Sequence, residues 1–209
     1  MKSFKIGLLL GFCFCGLGVF AQYRAMELTP SVGMSFSAGD YQPLKNLYSY
    51  SLIYSYWLTD TSTLDLWLKR IEGEFDFELF SEKQSLGEKS ADWSMTLGGI
   101  GFRYQPEWDF FLDAGLGAGI GYQAWESRSD YFSTRHGEGM LYYALFDLEY
   151  PATSWLSLGI YFQPFYFPLD TRMERAVYLK SAGSSEIVYD KIKDGWIFSS
   201  GVWLAIKIR

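Results

Sequence analysis

The chain has 209 residues, a formal net charge of −6 and one histidine. Loss of Lys2 and Lys5 with a leader takes the charge from −6 to −8, which argues against nucleic acid as a partner. Aromatic residues make up 20% of the chain, yet beyond the N-terminal segment no run of about 18 apolar residues occurs, so no membrane-spanning helix is expected there.

The N-terminus reads as a secretory leader. Lys2 and Lys5 form a positive start, Ile6 to Phe20 is a short apolar run, and Val19-Phe20-Ala21 ends on a small residue. The expected boundary puts residues 1–21 in a cleaved signal and residues 22–209 in one domain. Cys13 and Cys15 both lie in the leader and follow Phe12 and Phe14, a poor context for a lipoprotein. The mature chain therefore has no disulfide and no thiolate chemistry.

Eight strand-like segments follow, each with period-two alternation. The first is Leu28 to Ala38, with Pro30 near its start. The second, Leu47 to Leu58, puts Tyr48, Tyr50, Leu52, Tyr54, Tyr56 and Leu58 on one face and serines on the other. The third starts at Leu64, Leu66 and Leu68, opposite Asp65, Trp67 and Lys69. Beyond Arg70 the apolar parity reverses, which reads either as a bulge or as a strand rising clear of a membrane. The fourth, Asp92 to Tyr104, reverses similarly at Gly98-Gly99, a second bulge candidate.

The fifth segment is the most telling. From Phe110 to Tyr122 one face is Phe110, Leu112, Ala114, Leu116, Ala118, Ile120 and Tyr122; the other is Phe111, Asp113 and four glycines. A soluble core strand turns a charged face to water, but here neither face is suited to water. An apolar band bounded by aromatics, over a small-residue interior, describes a transmembrane β-barrel strand. The sixth runs from Met140 to Tyr150, the seventh from Trp155 to about Phe167, and the last from Gly195 to Arg209. A long segment, 168–194, separates the last two.

Connections after the second, fourth and sixth strands are short: Thr59–Ser62, Gln105–Glu107 and Pro151–Ser154. Those after the odd strands are longer and polar. This predicts an all-β, eight-stranded antiparallel up-and-down transmembrane barrel in the outer membrane, with both termini periplasmic. The pattern resembles the small eight-stranded outer-membrane barrels, the OmpA/OmpX-type transmembrane domains, over nearly all of 22–209. Members of that family usually end on an aromatic residue that assists assembly, whereas this chain ends Ala205-Ile206-Lys207-Ile208-Arg209. The competing fold is a soluble lipocalin-like barrel, whose solvent face should be charged where this chain has Gly115–Gly121 and Ser49–Ser55.

By parity, Asp65, Lys69, Arg103, Asp113, Asp147, Glu149 and Lys207 point inward and are expected to form one compensated layer that plugs the lumen. Arg103 and Asp113, on strands joined by a tight turn, are expected close to facing register. Glu72, Glu74, Asp76 and Glu78 make a row of carboxylates suited to a divalent cation bridging lipopolysaccharide phosphates, or simply to a solvated strand. His136, in a polar loop with Ser133 and Glu138, is the one candidate for nucleophilic catalysis, as in a lipid A acyltransferase or deacylase. Tyr131, Phe132, Tyr178 and Tyr189 with Arg172, Arg175 and Lys180 could offer a loop contact surface. One histidine and no mature cysteine make no metal cluster, and no cofactor is expected. The expectation is a monomeric structural or interaction barrel touching outer-membrane lipid, lipopolysaccharide and a protein partner at its loops. An enzyme is the first alternative and a narrow channel the second.

Overall fold

The computed structural model describes residues 26–39, 44–76, 90–106, 111–128, 135–168, 173–181, 184–192 and 195–208. It contains ten strands: β1 (Met26–Gly39), β2 (Leu44–Thr59), β3 (Ser62–Asp76), β4 (Ser90–Tyr104), β5 (Asp113–Arg128), β6 (Arg135–Pro151), β7 (Leu156–Phe167), β8 (Met173–Ser181), β9 (Ser184–Ile192) and β10 (Gly195–Ile208). Eight of them close into an antiparallel barrel in the order β1-β10-β7-β6-β5-β4-β3-β2. The proposed leader, residues 1–21, lies outside the described residues.

Closure follows from the alternation. Each strand has one apolar face, and a closed cylinder buries the other face while leaving no sheet edge. On β5, Leu116, Ile120 and Tyr122 are exposed while Gln123 and Trp125 are buried. Outward rings stack across β1, β10 and β7: Phe36 on Phe198 with centroids 5.0 Å apart, and Phe198 on Phe162 at 6.0 Å.

The barrel is staggered. Paired residues lead from Glu27 on β1 through Ser55, Asp65, Gly101, Gly119, Tyr143, Phe165 and Ile197. The circuit returns to β1 at Ser37, ten residues above its start (27 to 37). Strands in such a barrel tilt by about 40°, and each step round the circuit climbs by roughly one and a quarter residues.

Four expectations about the elements change. The fifth strand begins at Asp113 rather than Phe110; Phe111 and Leu112 form a bend, and 107–110 lie outside the described residues. There is no bulge at Arg70 or at Gly98-Gly99, because β3–β4 pairing is unbroken from Ser62↔Tyr104 to Asp76↔Ser90. The extra residues sit on β2 instead: Lys45↔Glu74 is followed by Tyr48↔Glu72, where Asn46 adopts φ 53°, and Trp57↔Thr63 by Thr59↔Ser62 at the turn. The segment 168–194 contains a hairpin, β8–β9, with nine residue pairs from Met173↔Ile192 to Ser181↔Ser184.

The parity reversals have a different cause. Ile71, Trp93, Met95 and Leu97 are buried on the inward face, in line with Lys69 and Arg103. The strands do not slip; the interior changes character along the axis. Toward the long-loop end it is apolar, with Leu47, Ile71, Met95, Leu97, Leu141, Phe165, Phe167 and Ile197 buried together. In the middle, Trp67 and Tyr143 meet edge-on at 4.9 Å. They fill space left by inward glycines: a Cβ on Gly121 would come 2.8 Å from the Trp67 ring, and one on Gly119 2.6 Å from that of Tyr143. Toward the short turns the interior is charged.

Candidate functional site

Arg103 is the centre of the charged layer. It is 3% exposed and reaches from β4 across the lumen to other strands. Its Nη2 donates to Glu27 Oε1 on β1 at 2.9 Å and to Ser55 Oγ on β2 at 3.2 Å. Its Nε lies 3.6 Å from Asp65 Oδ2 on β3, and its Nη1 3.6 Å from Asp147 Oδ2 on β6. Hydroxyls hold the acids in turn: Thr63 donates to Asp65 at 2.7 Å and Thr29 to Glu27 at 3.1 Å. Gly115 faces Asp147 across the β5–β6 ladder, and a Cβ there would collide with that carboxylate.

A second pair lies nearer the turns. Lys207 Nζ approaches Glu149 Oε1 at 2.8 Å, and Gln105 Nε2 donates to Glu149 Oε2 at 2.8 Å. Asp113 sits opposite Glu149 in the ladder. Thus five carboxylates (Glu27, Asp65, Asp113, Asp147, Glu149) surround two cations among the described residues, and the layer holds surplus acid rather than near-neutral charge.

Two expected placements within this layer change. Asp113 is not a partner of Arg103: Arg103 pairs with Gly117, four residues further along β5. Lys69 stands above the layer. It is 1% exposed, donates to Gln163 Oε1 at 2.9 Å and to Tyr161 OH at 3.5 Å, and sits 4.6 Å from the Tyr161 ring centroid. The stagger explains both, because residues equally far along neighbouring strands do not lie at equal depth. Beside Arg103 is a cavity of about 10 Å³, lined also by Thr29, Ser31, Ser51, Asp147, Tyr161 and Gln163 among others. That is room for about one water.

Glu27, Gln105, Tyr161 and Gln163 are not among the sequence-based candidates. Glu27 is legible in principle: it precedes the first strand's expected start by one residue and shares the inward parity of Thr29 and Ser31. The two residues on β7 carry no charge to mark them.

The outer wall carries the other candidates. Glu72 and Glu74 are exposed, but Glu72 accepts from Arg70 Nε at 2.7 Å and from Tyr50 OH at 3.2 Å. Asp76 ends β3 opposite Ser90, and Glu78 lies outside the described residues. No group of three His, Cys, Asp or Glu among the described residues could hold a metal ion. His136 stands in strand β6 rather than in a loop, directly opposite Glu126, which in turn faces Ser94. Glu138 is opposite Ala124, and Ser133 lies outside the described residues.

No known family model and no curated protein sequence matches the chain. Solved structures do match in fold. Neisserial surface protein A is similar with a TM-score of 0.60 and 10% identity, over 88% of this chain and 99% of the other. A major outer membrane protein from Thermus thermophilus aligns with a TM-score of 0.59 and 11% identity, over 88% and 99%. The outer membrane protein OprG from Pseudomonas aeruginosa aligns with a TM-score of 0.50 and 10% identity, over 88% and 95%. The chain has the fold of the small eight-stranded outer-membrane barrels, as the resemblance in its sequence implied.

Proposed function

We propose that this is an outer-membrane barrel with a closed lumen, acting through its outer surface and its long loops rather than through a pore. Its contacts are lipopolysaccharide in the surrounding leaflet and a host or neighbouring protein at the loops. Residues 1–21 are removed on export, and the short turns and both termini face the periplasm. The observation that supports this best is the filled interior, in which Arg103 and its acids are stacked beneath buried aromatic and aliphatic side chains. A narrow channel would need water to pass both layers.

Sidedness is testable because the mature chain has no cysteine. Ser129→Cys, in the β5–β6 connection, should react with a membrane-impermeant maleimide on intact cells. Asp60→Cys, in the β2–β3 turn, should react only after the outer membrane is opened. The reverse pattern would invert the orientation, and labelling of both in a soluble periplasmic fraction would end the membrane reading.

A further inference from the structure

We propose that the outer wall over β3 and β4 binds the phosphorylated sugar headgroup of an outer-leaflet glycolipid, with Arg70 at the centre of the site. This rests on the reading above that the loop end of the barrel faces outward.

The apolar belt is lower on this wall. On β3 it ends at Leu68 and on β4 at Ile100; the next outward positions are Arg70 and Glu72, and Gly98, Thr96 and Ser94. Depth follows from the stagger. Arg70 pairs with Tyr50, and Tyr50 with Val32. Two steps of climb put Arg70 roughly level with Met34 on β1. The exposed ring of Phe36 lies above that level, as does Trp196, which pairs with Ala38. On the opposite side of the barrel, therefore, apolar rings continue past the depth at which this wall turns polar. An ionised side chain on the lipid face is costly unless something polar meets it.

The wall mixes both charges: Glu72 pairs with Arg70, and Glu126 on the neighbouring β5 lies close enough to act on it. Arg70 is held in place, with Nε on Glu72 and Nη1 on Thr96 Oγ1 at 3.1 Å, and its Nη2 adds two N–H donors suited to a phosphate. Glu72 and the Tyr50 and Thr96 hydroxyls offer the mixed donors and acceptors that sugar hydroxyls pair with. Beneath them, a Cβ on outward Gly98 would meet nothing nearer than 3.5 Å, so the wall is dented where an acyl chain would descend. A protein partner would be expected to bring an apolar core to its interface, which this wall does not answer.

The test uses phosphatidylcholine vesicles, with and without added lipid A, a phosphorylated glucosamine disaccharide lipid. Urea unfolding is followed by tryptophan fluorescence for the wild type, for Arg70→Gln/Thr96→Val, and for the milder Tyr50→Phe/Thr96→Val. Lipid A should raise the wild-type midpoint. Both double variants should lose most of that shift while folding normally in plain vesicles. Should Arg70→Gln/Thr96→Val not fold, the milder pair decides alone. Equal shifts in wild type and variants would overturn the site, as would a wild type that inserts but gains nothing from lipid A. The same gain from phosphatidylglycerol would overturn the sugar and leave only a phosphate. A wild type that fails to insert at all, with no heat-dependent gel shift, would overturn the membrane reading and this site with it.

Discussion

Arg103 shows what a single side chain does in this interior. Its guanidinium offers five donors in a fixed fork, so it can face Glu27, Asp65 and Asp147 on three strands at once. Truncation leaves three buried carboxylates without their cation. Arg103→Ala should destabilise the barrel by about 3–5 kcal/mol, less if water enters, as read by urea unfolding in detergent micelles or vesicles. Arg103→Lys should recover only part of this, because a point charge cannot serve three acids at those separations. A neutral Arg103→Ala would mean the layer is solvated.

Outward and inward positions on β5 differ in the same quantitative way. Ile120 is exposed near the middle of the belt, so Ile120→Arg should cost about 2–4 kcal/mol. Inward Gly119 faces the backbone oxygen of Ile100 and the Tyr143 ring, so Gly119→Ala should cost about 1–3 kcal/mol through overpacking. Gly98→Ala, pointing outward with nothing nearer than 3.5 Å, should be close to neutral. If Gly98→Ala proved as damaging as Gly119→Ala, the assignment of faces would be wrong.

At the scale of elements, the bulge on β2 has a specific chemical basis. Asn tolerates the left-handed region that Asn46 occupies, and β-branched residues do not. Asn46→Val should therefore cost about 1–2 kcal/mol, and Asn46→Gly should be neutral, both read from the unfolding midpoint. The β8–β9 hairpin is a separate two-stranded sheet, and β7 already pairs with β10 as far as Gly195↔Phe167. Replacing 169–193 by a short turn should leave the heat-dependent gel shift of the folded barrel intact. Loss of that shift would make the hairpin part of the fold.

The elements are the most legible part of the sequence. Outward sets such as Leu116, Ala118, Ile120 and Tyr122 repeat at period two, and no other element has that period. The reversals at Arg70 and Gly98-Gly99 mislead because apolar does not mean outward along the whole strand. Ile71, Met95 and Leu97 are apolar and inward, so parity of direction holds while parity of polarity does not. The hairpin at Met173–Ile192 is hidden because charged residues interrupt its alternation.

At the scale of the molecule, the stagger of ten residues decides who meets whom, and it cannot be read from strand order alone. It sets Arg103 beside Glu27 and Asp147, places Lys69 with Gln163 instead of an acid, and lowers the polar wall at Arg70 into the belt. The same geometry stacks a charged layer, an aromatic layer and an aliphatic layer along one axis, leaving a cavity of about 10 Å³ beside Arg103, Tyr161 and Gln163. Planar-bilayer recording of the purified, refolded protein reads whether this interior is shut. The wild-type barrel should show negligible steady conductance, with brief openings appearing in Arg103→Ala. A stable, large wild-type conductance would contradict a closed lumen and make the barrel a channel.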